Sequence, residues 1–336
     1  MPISESDISV LIPTYKYRDK VARAVDSALA SGAGEIIVAD DCSRDGTMEL
    51  LASYNDPRLR AIENPINIGL WENHLAALEH ATKPWIKFIQ ADDYLLPGGL
   101  TVYAAAADPG VSVVWSNPLV IDEATGATRH NHRVTKIWRL SGEDYLDLAI
   151  RSCWILGSPS QMMLRADAVV RDPAAWITEI SADLVFGAVA ASRGDVVLLP
   201  AGGVAHVEHA RQDSNTQGAR RGLRRLVGTV EYLLDQPEPA LRRFGTFWAA
   251  QNRRVAWRTA MSGVLRQKVG PMEALQLVLR NEVHARGCFR DAQDRQVLIE
   301  GRLFRRYDRQ PHDIDTILTR AGFTSDDGAV RREDEK

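Results

Sequence analysis

The chain has 336 residues, of which 45% are hydrophobic and 25% charged, and a formal net charge of −3. This length predicts one large globular domain with an added lobe. No run approaches the roughly 18 apolar residues of a membrane span, and the start, MPISESD, predicts no secretory signal.

The first two hundred residues alternate short β-branched runs with amphipathic segments. Six runs are predicted strands: ISVLIPT (8–14), EIIVADD (35–41), RLRAIENP (58–65), WIKFIQADD (85–93), VSVVWSN (111–117) and GDVVLLP (194–200). The segments between the first four, including RDKVARAVDSALAS, DGTMELLASY and GLWENHLAALEHA, have helical spacing. This alternation predicts an α/β fold, a mostly parallel sheet with helices on both faces.

Ligands of such sheets bind beyond the carboxyl ends of the strands. In this sequence the strand ends read PTY, ADDCS and QADD. We therefore expect these polar segments to meet at one edge of the sheet.

The later part of the chain has a different pattern. The stretch WILGSPSQMMLRADAV is predicted to be a loop, and SADLVFGAVAASR a helix. After residue 219 we expect amphipathic helices without strands, forming a C-terminal helical extension with breaks at QPEP and KVGP. The final residues, SDDGAVRREDEK, are predicted to be disordered.

Cysteine usage and charge restrict the cellular setting. Cys42, Cys153 and Cys288 are widely spaced and odd in number, which excludes a disulfide framework and a four-cysteine zinc site and favours the reducing cytoplasm. Residues 211–310 contain 20 Arg and Lys against 10 Asp and Glu. This basic region is either a solvated helical surface or a region attracted to an anionic membrane, a nucleotide-linked substrate or an acidic partner.

Two adjacent acids, Asp92 and Asp93, end a predicted buried strand. They are either part of a solvated turn or ligands of a hard cation such as Mg²⁺ or Mn²⁺, which leaves positions open for phosphate oxygens. The sequence has neither of the usual glycine-rich phosphate loops. A divalent metal is therefore the expected source of positive charge for a diphosphate.

At the second strand end, Asp40 and Asp41 precede a predicted helix. A carboxylate at this place can accept a hydrogen bond from a nucleobase or hold a ribose hydroxyl. Taken alone, this pattern is common in strand-turn-helix units.

Four segments resemble glycosyltransferase family 2 in order and spacing: SVLIPTYKYRDKVARAVDSAL, EIIVADDCSRDGT, NPINIGLWENHLAAL and WIKFIQADDYLLP. The resemblance covers about residues 7–100 strongly and continues more loosely to about 217. It implies a glycosyltransferase-A (Rossmann-like) fold. It implies a catalytic domain at 1–218, with a nucleotide-sugar half at 7–117 and an acceptor half at 118–218. The helical lobe at 219–325 and the disordered tail at 326–336 lie outside the resemblance and are predicted from the sequence pattern.

The resemblance also implies roles for individual residues. Donor-binding positions would be Pro13, Thr14, Tyr15, Asp40, Asp41, Asn67, Gly69, Asn73, Gln90, Ala91 and Asp92. Asp92, Asp93 and His209 would hold the metal, with His206 as the competing histidine. Asp183 falls where the family has its catalytic base.

The chain departs from the family at Gln90, where the Asp-x-Asp motif usually has its first acid; this predicts a reduced metal affinity. Structural alternatives stay open for several positions. Asp183 is also explained as an acid of a helix's first turn, His209 as a surface histidine and Asn73 as a helix-surface amide. Trp85 and Trp115 are predicted in the core, and Trp154 either packs or stacks on an acceptor.

The expected function is inverting transfer of a sugar from a UDP-sugar, or alternatively a dTDP-sugar, to an acceptor hydroxyl, assisted by Mn²⁺ or Mg²⁺. The acceptor would be a carbohydrate, a lipid-linked saccharide or a small molecule, in polysaccharide or glycoconjugate synthesis. No nucleic-acid partner is expected. The location would be cytoplasmic, with peripheral contact at the inner face of the membrane as an option. The competing functions are a sugar-1-phosphate nucleotidyltransferase and an inactive nucleotide-sugar-binding scaffold.

Overall fold

The predicted parallel strands form the centre of a large sheet in the computed structural model, which describes residues 2–130, 134–152, 158–177, 179–211, 219–289, 314–320, 323–326 and 329–332. The strands are β1 (Ile8–Thr14), β2 (Glu35–Asp40), β3 (Leu59–Glu63), β4 (Trp85–Phe88), β5 (Tyr94–Leu95), β6 (Val111–Ser116), β7 (Leu119–Asp122), β8 (Thr128–His130), β9 (Trp138–Leu140), β10 (Met162–Arg165), β11 (Asp195–Leu199), β12 (Val204–Glu208), β13 (Phe323–Asp326) and β14 (Ala329–Arg332).

The described helices follow the predicted amphipathic segments. They are α1 (Arg18–Ala30), α2 (Thr47–Ala52), α3 (Leu70–Glu79), α4 (Gly99–Ala105), α5 (Gly142–Ser152), α6 (Ala182–Ala191), α7 (Ala219–Leu234), α8 (Pro239–Leu265), α9 (Pro271–Ala285) and α10 (Ile314–Arg320). None of these helices is both long and apolar enough to cross a membrane.

The large sheet has the strand order β3-β2-β1-β4-β10-β6-β11-β9. Strands β1, β2, β3 and β4 are parallel, as are β6 and β11, while β10 and β9 run antiparallel to their neighbours. Every residue of β1 and β4 is buried, as expected for strands covered on both faces. The predicted mostly parallel α/β fold is confirmed.

A second, four-stranded sheet has the order β5-β12-β7-β8. Its strand β12 pairs antiparallel with β5, which follows directly after the end of β4. This pairing brings the segment 204–208 and the residues after it to the carboxyl end of β4.

An aromatic cluster connects α3, β4, the 3₁₀ turn Pro173–Trp176 and α6. Trp176 stacks on Phe186 with ring centroids 5.1 Å apart, and Phe88 lies 6.0 Å from Phe186 and 5.4 Å from His74. Such aromatic contacts stabilise a core beyond the area they bury. The cluster therefore fixes α6, with Asp183 in its first turn, relative to β4.

Several predictions from the sequence need correction. The segment predicted as a loop contains β10, and strands β13 and β14 pair after residue 219, where we expected none. Strand β14 also falls within the tail that the sequence predicts to be disordered. A four-residue antiparallel strand between parallel neighbours has little sequence signal of its own, because its neighbours and not its periodicity hold it in place. Trp85 and Trp115 lie in the core, as predicted.

The buried side chain of His74 should make the stability of the core sensitive to acid. The ring is fully buried in the aromatic cluster, and burial lowers its pKa to about 4, although the hydrogen bond between Nδ1 and the Leu70 carbonyl acts in the opposite direction. Because the folded pKa lies below the ordinary value, stability is present above about pH 6.5 and is lost as pH falls towards 4. Between pH 7 and pH 5 the unfolding free energy of the wild type should fall by about 2 kcal/mol because of this group. The variant His74→Phe should not show this loss. Urea unfolding at both pH values measures this; parallel losses in the two proteins would contradict it.

Candidate active site

A polar cleft opens at the carboxyl ends of β1 and β4. The chain leaves β1 towards β2 on one side, and β4 lies on the other side. In open α/β sheets such a reversal of strand order leaves a crevice for ligands. The cavity has a volume of about 900 Å³, which suits a nucleotide-sized ligand. The three polar strand ends do meet at this edge, as predicted.

Most of the predicted donor-binding residues line this cavity. They are Pro13, Thr14, Tyr15, Asp41, Asn67, Gly69, Asn73, Gln90, Ala91 and Asp92. Thr14 Oγ1 and Trp71 Nε1 are buried polar atoms without a hydrogen-bond partner among the described residues. Since buried polar groups are normally satisfied, a bound ligand is a fitting partner for both.

Asp41 shapes the nucleotide side of the cavity. Its carboxylate accepts hydrogen bonds from the backbone N–H groups of Ile68 (2.8 Å) and Gly69 (2.9 Å) and from Asn64 Nδ2 (3.0 Å). Gly69 has a φ of 113° directly before α3, a value that favours glycine. Asp41 therefore fixes the loop that carries Asn67 into the cavity.

Asn73 is buried and is not a surface amide. Its Nδ2 donates to the carbonyl of Ala39 (2.9 Å), and its Oδ1 accepts from Asn64 Nδ2 (2.9 Å). The side chain thus links α3 to the end of β2, so its contribution to the cavity is to hold the wall in place.

Asp40 does not line the cavity, which contradicts its prediction as a donor-binding residue. Its carboxylate accepts from the backbone N–H of Ser43 (2.8 Å) and from the hydroxyl of the same residue. Adjacent strand residues point to opposite sides of a sheet, and the pair Asp40 and Asp41 follows that rule.

Asp92 lies in the cavity and contacts His209. Asp92 Oδ2 is 2.8 Å from His209 Nε2, and His209 Nδ1 accepts a hydrogen bond from the backbone N–H of Arg211 (3.1 Å). The second bond makes Nδ1 the acceptor, so Nε2 carries the proton that it donates to Asp92. His209 is buried and is not the surface histidine of the alternative interpretation. Burial, and then the charge of Asp93, raise the pKa of Asp92, and the bond to His209 opposes them.

Asp93 has a different role from its neighbour. Only 1% of Asp93 is exposed, and its Oδ1 accepts from the backbone N–H of Val207 (2.9 Å) and faces His206 Nδ1 at 3.1 Å. Its oxygens are therefore engaged with β12. Asp93 also lines the cavity, and its role as a metal ligand stays a prediction. Asp93 orients His206, which lines the cavity where the predicted His209 does not. Burial alone would lower the pKa of His206, but Asp93, Asp92 and Glu208 outweigh it and raise this pKa.

The residues around Asp92 fit a metal that is shared with a ligand. Among the described residues no three His, Cys, Asp or Glu side chains form a site for an ion. Asp92 and one histidine can supply two ligands, and His206 has its Nδ1 oriented by a carboxylate as metal-binding histidines usually do. Ions such as Mg²⁺ commonly accept this arrangement, with phosphate oxygens and water in the other positions.

Asp183 lines the same cavity from the first turn of α6. Burial raises the pKa of its carboxyl group, while the N–H of Leu184 (3.0 Å from Oδ1) and the charge of Arg225 act in the opposite direction. A carboxylate with a raised pKa is a stronger base, which suits proton abstraction at neutral pH.

Several further residues line the cavity that were not predicted from the sequence. These are Lys16, Tyr17, Leu70, Trp71, Ser158, Pro159, Arg211, Arg221 and Arg225. Arg221 and Arg225 come from α7, in the region predicted as a separate lobe. Their spacing of four residues was the available signal, but it could not tell which face of the helix meets the cavity. Trp154 and Cys153 lie outside the described residues.

The sequence of the chain is similar to those of known proteins. The model of the glycosyl transferase family 2 matches residues 9–170. The succinoglycan biosynthesis protein ExoO of Rhizobium meliloti (strain 1021) is 35% identical over 104 residues, which cover 30% of each chain. WfaP of Escherichia coli, named as a UDP-Glc:alpha-D-GlcNAc-diphosphoundecaprenol beta-1,3-glucosyltransferase, is 33% identical over 89 residues, covering 26% of this chain and 36% of WfaP. The chain spans about a third of the length of these curated relatives.

The fold has a match over nearly its whole length. The crystal structure of S. aureus TarS 1-349 in complex with UDP-GlcNAc superposes with a TM-score of 0.63 at 16% identity, covering 97% of this chain and 96% of that one. The shared fold thus includes the C-terminal helices. Residues 9–170 thus match the model of the glycosyl transferase family 2 domain, and the likeness of fold extends over nearly the whole chain.

Proposed function

We propose that the protein is an inverting glycosyltransferase that moves a sugar from a UDP-sugar to a hydroxyl group of a saccharide acceptor. The observation that carries this proposal is the shared cavity, which Asp92 enters from β4 and Asp183 from α6. The names of WfaP and of the TarS complex support a UDP-sugar as donor. We further propose that residues 1–218 are the catalytic domain and that the helices from 219 complete the cavity.

In this mechanism Asp183 takes the proton of the acceptor hydroxyl. The acceptor oxygen then forms a bond to the anomeric carbon while the bond from that carbon to the diphosphate oxygen breaks, and the nucleoside diphosphate leaves. Since one base on the acceptor side acts in a single displacement, the configuration at the anomeric carbon inverts. Thr14, Asn67 and the loop held by Asp41 position the nucleotide.

A divalent metal, held by Asp92 and His206, would neutralise the charge on the leaving diphosphate. The side chains that would hold the metal are positioned by contacts within the protein. Asp93 orients His206, and His209 holds Asp92 in the cavity.

Two other functions compete with this one. A nucleotidyltransferase usually has a glycine-rich loop after the first strand, and residues 15–17 contain no glycine. An inactive donor-binding scaffold is favoured by Gln90, which adds no charge beside Asp92. Hydrolysis of UDP-sugars, measured with and without Mn²⁺, separates an active enzyme from such a scaffold.

Asp183→Asn keeps the shape of the side chain but removes its basicity. Because Asp183 acts on the acceptor, the rate of sugar transfer should fall by about 10² to 10⁴, with the loss in kcat and with UDP affinity unchanged. Glu179→Gln, which removes an exposed carboxylate four residues earlier, is the matched control and should transfer at the wild-type rate. A wild-type rate in Asp183→Asn, or a loss of UDP affinity, would show that Asp183 is not the base.

Substitutions of the adjacent acids Asp92 and Asp93 should have different effects on thermal stability. Asp92→Asn should abolish the part of the UDP-induced rise in Tm that depends on Mn²⁺, because it removes a metal ligand, and leave the ligand-free Tm nearly unchanged. Asp93→Ala should lower the ligand-free Tm, because the buried N–H of Val207 loses its acceptor at a cost of about 1 to 3 kcal/mol. Thermal unfolding with UDP, Mn²⁺ and EDTA measures both effects. A UDP shift in wild type that EDTA leaves intact argues against the metal.

We also propose that the C-terminal apolar face contacts an anionic membrane. This face consists of Trp257, Met261 and Leu265 on α8 and Met272, Leu275, Leu279 and Val283 on α9, all of them exposed. Trp257 Nε1 donates to Glu282 of α9 (3.1 Å), so the two rows lie on packed helices. The exposed cations Arg254, Arg258, Arg266 and Lys268 accompany them. The nearby acids Glu273 and Glu282 are paired with arginines, which leaves this surface positive.

The protein should therefore bind vesicles that contain phosphatidylglycerol and ignore vesicles of phosphatidylcholine alone, since each cation adds about 1 kcal/mol near an anionic surface. Met261→Glu should weaken this binding, because it places a charge within the apolar face. Val102→Glu, a change of an exposed apolar residue on α4, is the control and should bind as wild type does. Cosedimentation at low salt measures the effect, and an absence of binding to either vesicle overturns the membrane proposal.

A further inference from the structure

Two arginines of the C-terminal helices belong to the candidate active site. Arg221 and Arg225 are four residues apart on α7, so they share one face of that helix, and both line the cavity together with Asp183. The family 2 match ends at residue 170 and does not include them.

Helix α7 is held directly against the turn that carries Asp183. Thr229 Oγ1 accepts a hydrogen bond from the backbone N–H of Ser181, the residue before α6, at 2.8 Å. A Cβ atom at Gly228 would stand only 2.7 Å from the carbonyl oxygen of Glu179. The contact therefore depends on a glycine, and it places Arg225 where its charge acts on Asp183.

The two faces of α7 use their arginines differently. Arg220 and Arg224 contact the carboxylate of Glu273 on α9, with distances of 2.9 Å and 2.7 Å. Arg221 and Arg225 instead face the cavity, beside the group proposed to activate the acceptor. A guanidinium group binds carboxylates and phosphates through two parallel hydrogen bonds, which makes a pair of them a selective anion site.

We propose that Arg221 and Arg225 bind a negatively charged group of the acceptor, a carboxylate or a phosphate ester, so that the acceptor is an acidic saccharide. This inference rests on the proposed function, because it takes Asp183 as the base that meets the acceptor. The donor side of the cavity is built by residues of β1 and β4, including Thr14 and Asp92, whereas α7 is attached to α6. The arginines therefore lie with the acceptor rather than with the diphosphate of the donor.

The test uses the full chain saturated with UDP and Mg²⁺ and compares acidic with neutral sugars by calorimetry. One pair is tetragalacturonate against maltotetraose, and the other is glucose 6-phosphate against glucose. Wild type should bind at least one acidic probe about tenfold or more tightly than its neutral partner, as expected for hydrogen bonds to a charged group. The pair that shows this preference tells a carboxylate from a phosphate ester.

Arg221→Gln and Arg225→Gln should each remove the preference and leave UDP affinity unchanged. Arg224→Gln removes the same charge from the neighbouring face of α7 and should keep the preference. Equal binding of acidic and neutral probes by wild type, or an equal loss in Arg224→Gln, overturns the inference. A fall in UDP affinity in Arg225→Gln does so as well, because it assigns the arginine to the donor. Failure of wild type to bind UDP at all would instead count against the proposed function.

Discussion

The buried carboxylate of Asp93 is the contact on which the candidate site depends. It receives the N–H of Val207 and faces the ring of His206, and so it joins the end of β4 to β12 of the second sheet. A buried charge is retained only where such donors surround it. Without this contact, the ring of His206 would lose the carboxylate that orients it, and the residues after β4 would lose a link to β12.

A buried lysine lies beneath the same strand end. Lys87 of β4 is fully buried, donates to the carbonyls of Ser160 and Met162, and stands 4.2 Å from the ring centroid of Tyr103. Burial lowers the pKa of Lys87 well below its usual value, and the negative charge of Asp93 opposes that shift. The paired acids at the edge of the sheet are thus compensated from within the protein as well as by the histidines. Lys87 also holds Ser160, whose hydroxyl accepts the N–H of Gln90 at 3.0 Å, so the lysine helps to set the backbone that leads into Asp92.

The two strand-end pairs differ in how they meet the cavity. Asp41 lines it and Asp40 does not, as expected from the alternation of side chains along an extended chain. Asp92 and Asp93 both line it, and they stand in a turn in which the Asp93 N–H donates to the Gln90 carbonyl (2.9 Å). Asp41 has two tasks: it lines the cavity, and it also holds the loop at Ile68 and Gly69.

The position of Asp183, on the far side of the cavity, is set by two contacts. One is the aromatic cluster around Trp176 and Phe186, and the other is the contact between α7 and the turn before α6. Each of the two carboxylates in the proposed mechanism, Asp92 and Asp183, is therefore supported by a separate part of the fold.

The sequence by itself determined the parallel strands, the helices between them and the polar strand ends, because burial on both faces and turn chemistry leave local patterns. It also singled out Asp92 and Asp183 through their places in a family motif. Only the tertiary structure decided that Asp40 and Asp93 accept hydrogen bonds from backbone N–H groups. It also decided that His206 lines the cavity while His209 contacts Asp92, and that α7 brings Arg221 and Arg225 to the site. Periodicity shows that a helix has a polar face but does not show what that face meets. Likewise, the identity of an acidic residue does not reveal whether its carboxylate already accepts a hydrogen bond from a distant backbone N–H. The contact between Val207 and Asp93 joins residues more than a hundred positions apart.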